Sequence, residues 1–173
     1  MSDVLRVRVL ERLGEAEVAA LSAVLIDCVE GGAGVSFMLP LSAQKARSYW
    51  LRMAASVARG ERIIFAAEDA SGIVGAVQLV LDMPENQPHR AEVAKMLVHR
   101  RARRRGIGAA LLKAVEYKAM ESGRTLLVLD TVTASDGYRL YSRHGWQRCG
   151  EIPGYALSPD GVLCPTTVFF KQL

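Results

Sequence analysis

Cysteine is scarce in this sequence, and what there is does not pair. Cys28, Cys149 and Cys164 are odd in number and far apart, with no C-x-x-C spacing. That excludes a disulfide framework and a structural zinc finger. Two of the three are expected to be small buried residues and one to lie near the surface. Histidine is equally sparse: His89, His99 and His144 lack the H-x-x-x-H spacing that sets two imidazoles on one helix face, so no metal site is expected. No apolar run approaches the roughly 20 residues that span a bilayer. The stretch from Met1 to Arg6 has neither the basic n-region nor the apolar h-region of a signal peptide. A cytoplasmic protein with no membrane association is the expectation. Aromatics make up 6% of the chain and none stands beside its basic cluster. Stacking platforms for nucleic-acid bases are therefore missing where the arginines are.

Apolar residues, by contrast, are half of the 173, enough for a sizeable core in one domain covering 1–173. The net charge of +4 is concentrated in one place. Arg100, Arg101, Arg103, Arg104 and Arg105 fall within six positions, and removing them from the 22 basic residues leaves 17 against 18 acidic ones. A protein that tracks a nucleic-acid backbone spreads its basic residues over a face. One compact knot suits a small polyanion such as a nucleotide with several phosphates.

The periodicity reads β-α-α-β-β-β-α-β-α-β-β. Val4 to Val9 alternates as a strand, and Val18, Leu21, Leu25 and Val29 form the apolar stripe of a helix over 14–29. Gly31-Gly32-Ala33-Gly34 ends that helix in a loop, and Ser42 is the N-cap of a second helix running to Ala58. Strands over 62–68 and 73–81 flank the turn Asp69-Ala70-Ser71-Gly72. A strand over 90–98 leads into a helix over 106–122 whose buried stripe is Ile107, Ala110, Leu111, Ala114, Val115 and Tyr117 or Lys118. An apolar strand over 125–131, covered on both faces, precedes a short helix over 135–144. A weak strand over 147–152, turns at Pro153-Gly154-Tyr155 and Pro159-Asp160-Gly161, and a strand over 162–170 complete the chain. This is a mixed α/β sheet, and the third and fourth helices, each crossing between consecutive strands, predict local parallel pairing. Trp50, inside the second helix, reads as core.

The passage from strand through Arg103-Arg104-Arg105-Gly106-Ile107-Gly108 to helix is the arrangement in which a helix N-terminus faces an anion. Gly106 and Gly108 are expected to let backbone approach phosphate oxygens, with the arginines adding charge-assisted hydrogen bonds. Ala109 and Ala110 after Gly108 exclude a Walker A loop, and Leu111 stands where a dinucleotide fingerprint needs its third glycine.

From Glu92 to Trp146 the chain resembles the GNAT superfamily of N-acetyltransferases. The resemblance rests on the strand ending Met96-Leu97-Val98, the Arg103-x-x-Gly106-x-Gly108 loop and its helix, the strand 126–131, and Leu140-Tyr141-x-x-x-Gly145-Trp146. Gly31-Gly32-Ala33, Phe37-Met38, Arg90-Ala91-Glu92-Val93, Leu129-Asp130-Thr131 and Pro153-Gly154-Tyr155 are similar to the tabtoxin-resistance type within it. Arg100 and Arg104 stand where many members have proline and glycine, and Ala134 where many have asparagine.

The resemblance implies a mostly antiparallel mixed sheet flanked by about four helices, and direct transfer of an acetyl group from acetyl-CoA to an amine. Backbone at Met96, Leu97 and Val98 would hold the pantetheine arm, and Arg103, Arg104, Arg105, Gly106, Ile107, Gly108 and Ala109 the pyrophosphate. Tyr141 is the candidate general acid toward the leaving thiolate. Glu92 and Asp130 are the candidate bases, with Asp130 alternatively an anchor for the acceptor ammonium. Ser36 and Phe37 are candidates for an acceptor lid, Phe37 equally for a core residue. Tyr155 is placed to reach the site or a partner, which leaves a homodimer open. The acceptor is expected to be a small-molecule amine such as an amino-acid-like toxin or antibiotic. A protein N-terminus or lysine, and a non-catalytic acetyl-CoA- or RNA-binding module, are the alternatives.

Overall fold

A computed structural model describes residues 5–173. In chain order the elements are β1 (Arg6–Val9), α1 (Glu15–Glu30), α2 (Ala43–Ala58), β2 (Arg62–Asp69), β3 (Gly72–Val80), β4 (Arg90–Val98), a one-turn 3-10 helix (Arg100–Ala102), α3 (Ile107–Glu121), β5 (Leu126–Val132), α4 (Asp136–Arg143), β6 (Gln147–Leu157) and β7 (Leu163–Gln172). The order of helices and strands is the one the periodicity predicts. Val4, expected to open the first strand, lies outside the described residues.

The strands form one sheet ordered β1-β2-β3-β4-β5-β7-β6. Among the described residues β4 and β5 alone pair in parallel, across the α3 crossover, and the other neighbours are antiparallel. The parallel pairing expected across α4 does not form. β7 enters the gap between β5 and β6, so the crossover spans two strand positions and β6 becomes the edge.

Two apolar layers cover the sheet. On one face α1 contributes Val18, Leu21, Leu25 and Val29, each at most 1% exposed, against Ala46 and Trp50 of α2 and Ile64, Ala66, Ala76 and Leu97 of the strands. The Ser42 hydroxyl caps α2 by accepting from the Lys45 N–H at 3.1 Å. On the other face α3 packs Ile107, Leu111, Leu112, Val115 and Ala119. Its stripe is rotated from the expected one toward Leu112 and Ala119, and Tyr117 is exposed. The helix lies close over β3: a Cβ on Gly75 would stand 3.2 Å from Leu111 Cδ1.

Three further expectations are corrected. β6 does not turn at Pro153-Gly154-Tyr155. It continues to Leu157, and an irregularity between Ile152 and Ala156 absorbs the extra residues, as an edge strand allows. β5 is not covered on both faces: Leu127 and Leu129 are buried, Leu126 and Val128 half-buried and Asp130 exposed. Of the cysteines, Cys28 is buried, Cys164 half-buried and Cys149 exposed.

The β5 pattern has a direct cause. β4 and β5 pair only from Arg90–Leu126 to Glu92–Val128. Beyond that β4 stays with β3 as far as Gly75–Val98, and β5 stays with β7 as far as Val132–Thr166. The two central strands separate and the sheet opens as a wedge. Truncating Leu111, fully buried under α3, is expected to cost about 2–5 kcal/mol. Urea denaturation of Leu111→Ala should show the midpoint falling with little change in slope.

Candidate active site

The mouth of the wedge is closed by the segment from His99 to Gly106. His99 caps the 3-10 turn, its Nδ1 accepting from the Arg101 N–H at 3.3 Å. Arg104 and Gly106 then take positive φ, 62° and 77°. This reverses the chain so that α3 starts at the mouth. Its first-turn N–H groups have no partner within the helix. Ser42 and Ser135 cap α2 and α4 with their hydroxyls, but no side chain caps α3. A helix end left open in this way is suited to receive an anion.

Gly106 is needed for its left-handed backbone, with open space where a Cβ would be. Gly108 has a packing role as well. A Cβ there would stand 3.1 Å from Leu140 Cδ2, so this glycine lets α4 close on α3.

The arginine knot is largely answered by the protein's own acids. Arg100 donates its backbone N–H to Asp27 Oδ2 at 2.7 Å and Nε to Oδ1 at 2.9 Å, fastening the loop to the end of α1. Burial raises the Asp27 pKa, but the hydrogen bonds from Arg100 and the charge of His99 outweigh it and leave it lowered. Arg105 pairs with Asp69 at 2.8 Å, and Arg101 donates to Ser71. The Ser71 hydroxyl and N–H, with the Arg105 guanidinium, hold the Asp69 carboxyl well below the usual range. Arg103 donates Nε to the Val98 carbonyl at 3.3 Å and lies 3.8 Å from Asp136. The Cys28 thiol points at the same carbonyl, at 3.4 Å. Burial pushes its pKa up to about 11, so it is no nucleophile at neutral pH.

Inside the wedge the strand register decides which side chains share a face. Glu92 pairs with Val128, so Glu92, Val128 and Asp130 all point to the α1/α2 side. Glu92 is exposed and ion-paired with Arg90 at 2.7 Å. Tyr141 comes from the opposite layer, 5% exposed, with ring centroids 5.7 Å from Trp146 and 6.1 Å from Phe169. Burial raises its pKa well above that of a free phenol, and the Asp130 charge raises it further. Phe37 packs edge-on against Tyr49 at 5.2 Å in the α1/α2 core, whereas Ser36 is exposed at φ 73° and accepts from Lys95 Nζ at 3.0 Å. Trp50 is core, as expected, and Tyr155 is exposed on the edge strand.

Lys95, Arg62, Asp27 and Asp69 were not singled out in the sequence. A lysine inside the apolar run from Ala91 to Val98 was the available signal for the first. The others are surface-type residues in sequence, and tertiary contacts alone bring them to the site.

An opened mixed sheet with an uncapped helix end at its mouth offers room for an extended, anion-tailed ligand between the central strands. Residues 60–148 match the family model of the acetyltransferase (GNAT) domain, and the chain belongs to that family, whose cosubstrate is acetyl-CoA. The chain is 31% identical over 98 residues to N-alpha-acetyltransferase 30 of Xenopus laevis. That match covers 56% of this chain and 36% of the relative, so the chain spans about a third of that protein's length. Among solved structures it is similar to a ribosomal-protein-alanine N-acetyltransferase from Brucella melitensis (TM-score 0.78, 23% identity, 98% and 99% of the two chains). It is also similar to a protein from Salmonella typhimurium assigned as an acetyltransferase and solved with its cofactor acetyl-CoA (TM-score 0.78, 16% identity, 98% and 94%). These two show the shared fold.

Arg104 and Ala134, where many family members have glycine and asparagine, both adopt positive φ, 62° and 61°. The family's usual residues are those that tolerate this region, and other residues are strained in it. Ala134→Gly is expected to stabilise the protein by about 0.5–1 kcal/mol, and Gly106→Ala to destabilise it by about 1–2 kcal/mol. Paired thermal and urea melts check both signs.

Proposed function

We propose that this chain transfers the acetyl group of acetyl-CoA directly to the primary amine of a small molecule, of the kind an amino-acid-like toxin or antibiotic presents. The observation that carries the reading is the exposed carboxylate of Asp130 in the strand gap, near enough for its charge to act on the buried Tyr141. The residues that resemble the tabtoxin-resistance type support the choice of acceptor.

Acetyl-CoA supplies the activated acyl group and a thiol leaving group. The first-turn N–H groups of Ile107, Gly108 and Ala109, with Arg103 and Arg104, receive its pyrophosphate. Arg105, engaged by Asp69, braces the loop. Met96, Leu97 and Val98 offer backbone groups on the side of β4 that has no strand partner. Asp130 receives the acceptor ammonium, and Glu92, on the same face, takes its proton through water. Tyr141 holds the proton that the departing sulfur needs. Its raised pKa keeps it protonated through and above the usual phenol range, so it can donate over the whole neutral and mildly basic range.

A second reading, acetylation of a protein N-terminus, is favoured by the sequence likeness to N-alpha-acetyltransferase 30. Thiol release from acetyl-CoA against a panel of small amines and peptides separates the two. Peptides as the sole acceptors would sink the small-molecule reading, and absence of acetyl-CoA binding by calorimetry would sink both. Tyr141→Phe is expected to lower kcat by roughly 10²-fold or more while the calorimetric affinity for acetyl-CoA stays within about twofold. Asp130→Asn should act mainly on the KM of the amine. If Tyr141 is the acid, wild-type kcat shows no loss as pH rises to about 10, because the phenol stays protonated there.

A further inference from the structure

On the sheet face that carries Asp130 lie two cations that the transfer chemistry does not use. Lys95 sits in β4, where the register with β3 breaks between Ala76 and Gln78, and its backbone φ is 54°. The irregularity turns the side chain toward the first loop, where Nζ donates to the Ser36 hydroxyl at 3.0 Å. Arg62, at the start of β2, donates Nε to the Ser56 hydroxyl at 2.8 Å and Nη1 to Gln78 Oε1 at 2.5 Å. Gln78 in turn donates Nε2 to the Tyr49 hydroxyl at 2.9 Å and is fully buried. The sheet register puts Arg62, Gln78, Glu92 and Asp130 on one face, the face that α2 covers with Tyr49.

What sets this pair apart is that, among the described residues, no carboxylate touches either cation: Glu61 reaches Arg62 through the Ser56 hydroxyl, and Asp130 acts on Lys95 without contact. Arg100, Arg101, Arg103 and Arg105 each have a carboxylate partner. Among the described residues Lys95 and Arg62 have hydroxyls and an amide carbonyl instead. Lys95 is half-buried, and desolvation disfavours its charged form; the Asp130 charge favours that form more than the Arg62 charge opposes it. Two cations on one face of the sheet, contacted directly by neutral groups alone, are suited to receive an anion from outside the protein. The pyrophosphate loop is not the source, because three strand residues, roughly 10 Å, separate Lys95 from Val98 before that loop begins.

Resting on the small-molecule reading above, we infer that Lys95 and Arg62 form an oxyanion subsite, and that the acceptor is a zwitterion whose carboxylate they receive while Asp130 takes its ammonium. Lys95 is then the specificity-determining residue. It selects acceptors that carry a negative charge close to the reacting amine.

The test compares each standard α-amino acid with its own carboxamide as acceptor, at saturating acetyl-CoA. The carboxamide keeps size and shape and loses the charge. Its less basic amine is more often free at neutral pH, so intrinsic reactivity favours the amide and any preference for the acid belongs to the protein. The wild type is expected to prefer the acid of at least one pair by about tenfold or more in kcat/KM, the scale of one charge-assisted hydrogen bond. Lys95→Met should bring that ratio to about one, chiefly through KM, with calorimetric affinity for acetyl-CoA within about twofold of wild type as the check on folding. Arg62→Gln provides a second variant should Lys95→Met fail to fold, and is expected to lower the ratio in the same direction. Amides used as well as acids by the wild type, or an acid preference unchanged in both variants, would overturn the oxyanion subsite and leave small-amine acetylation standing. Acetylation of peptides alone would overturn both together.

Discussion

The separation of β4 from β5 is the constraint on which the rest of the molecule depends. A parallel pair that runs its full length would bury both strands and satisfy their backbone. Here pairing stops at Glu92 and Val128, and each strand keeps its other neighbour. One edge of β4 is left with unpartnered backbone in the middle of a sheet, beside a helix end with no capping side chain. Backbone groups in that position must be satisfied by something, and in the function proposed above the acetyl-CoA cosubstrate does so. The same opening leaves Asp130 accessible at the end of an apolar strand, while Tyr141 approaches from the opposite layer.

The loop at the mouth of the wedge is fastened by the arginine knot. Its concentrated charge suggests a polyanion cradle, yet Asp27 and Asp69 engage three of its five members. These ion pairs tie the loop to the end of α1 and to the β2–β3 turn, on either side of the mouth. Partial neutralisation by the protein has a physical logic. Five uncompensated guanidinium groups within six positions would repel one another and splay the loop, whereas bracing three of them fixes its geometry and leaves Arg103, Arg104 and the α3 amides for the phosphates of the function proposed above. The lysine–arginine pair on the acceptor side has no carboxylate in direct contact among the described residues.

Much of the fold is legible residue by residue. The α1 stripe, the Ser42 cap, the Asp69–Gly72 hairpin and the bounds of β4 all follow from local rules of spacing and capping. Legibility fails where the outcome depends on a distant partner. The Pro153-Gly154-Tyr155 stretch carries every local sign of a turn, yet β7 keeps pairing beyond it, and an edge strand tolerates the bulge. Gly108 looks like a phosphate glycine, and the structure adds that its missing Cβ admits Leu140. Phe37 in its glycine-flanked loop is drawn into the core by Tyr49, leaving the loop's polar contact to Ser36.

By itself the sequence determined the elements, their order, the loop that opens α3 and the residue types able to move protons, because periodicity, capping and the chemistry of side chains are local properties. Only the tertiary structure decided that β7 inserts beside β5, that the central strands part after Glu92, and that Lys95 and Arg62 share the face of Asp130 with no carboxylate in direct contact among the described residues. Those outcomes turn on which edge of a strand finds a partner and which charge finds its opposite. Both are settled between residues far apart in the chain.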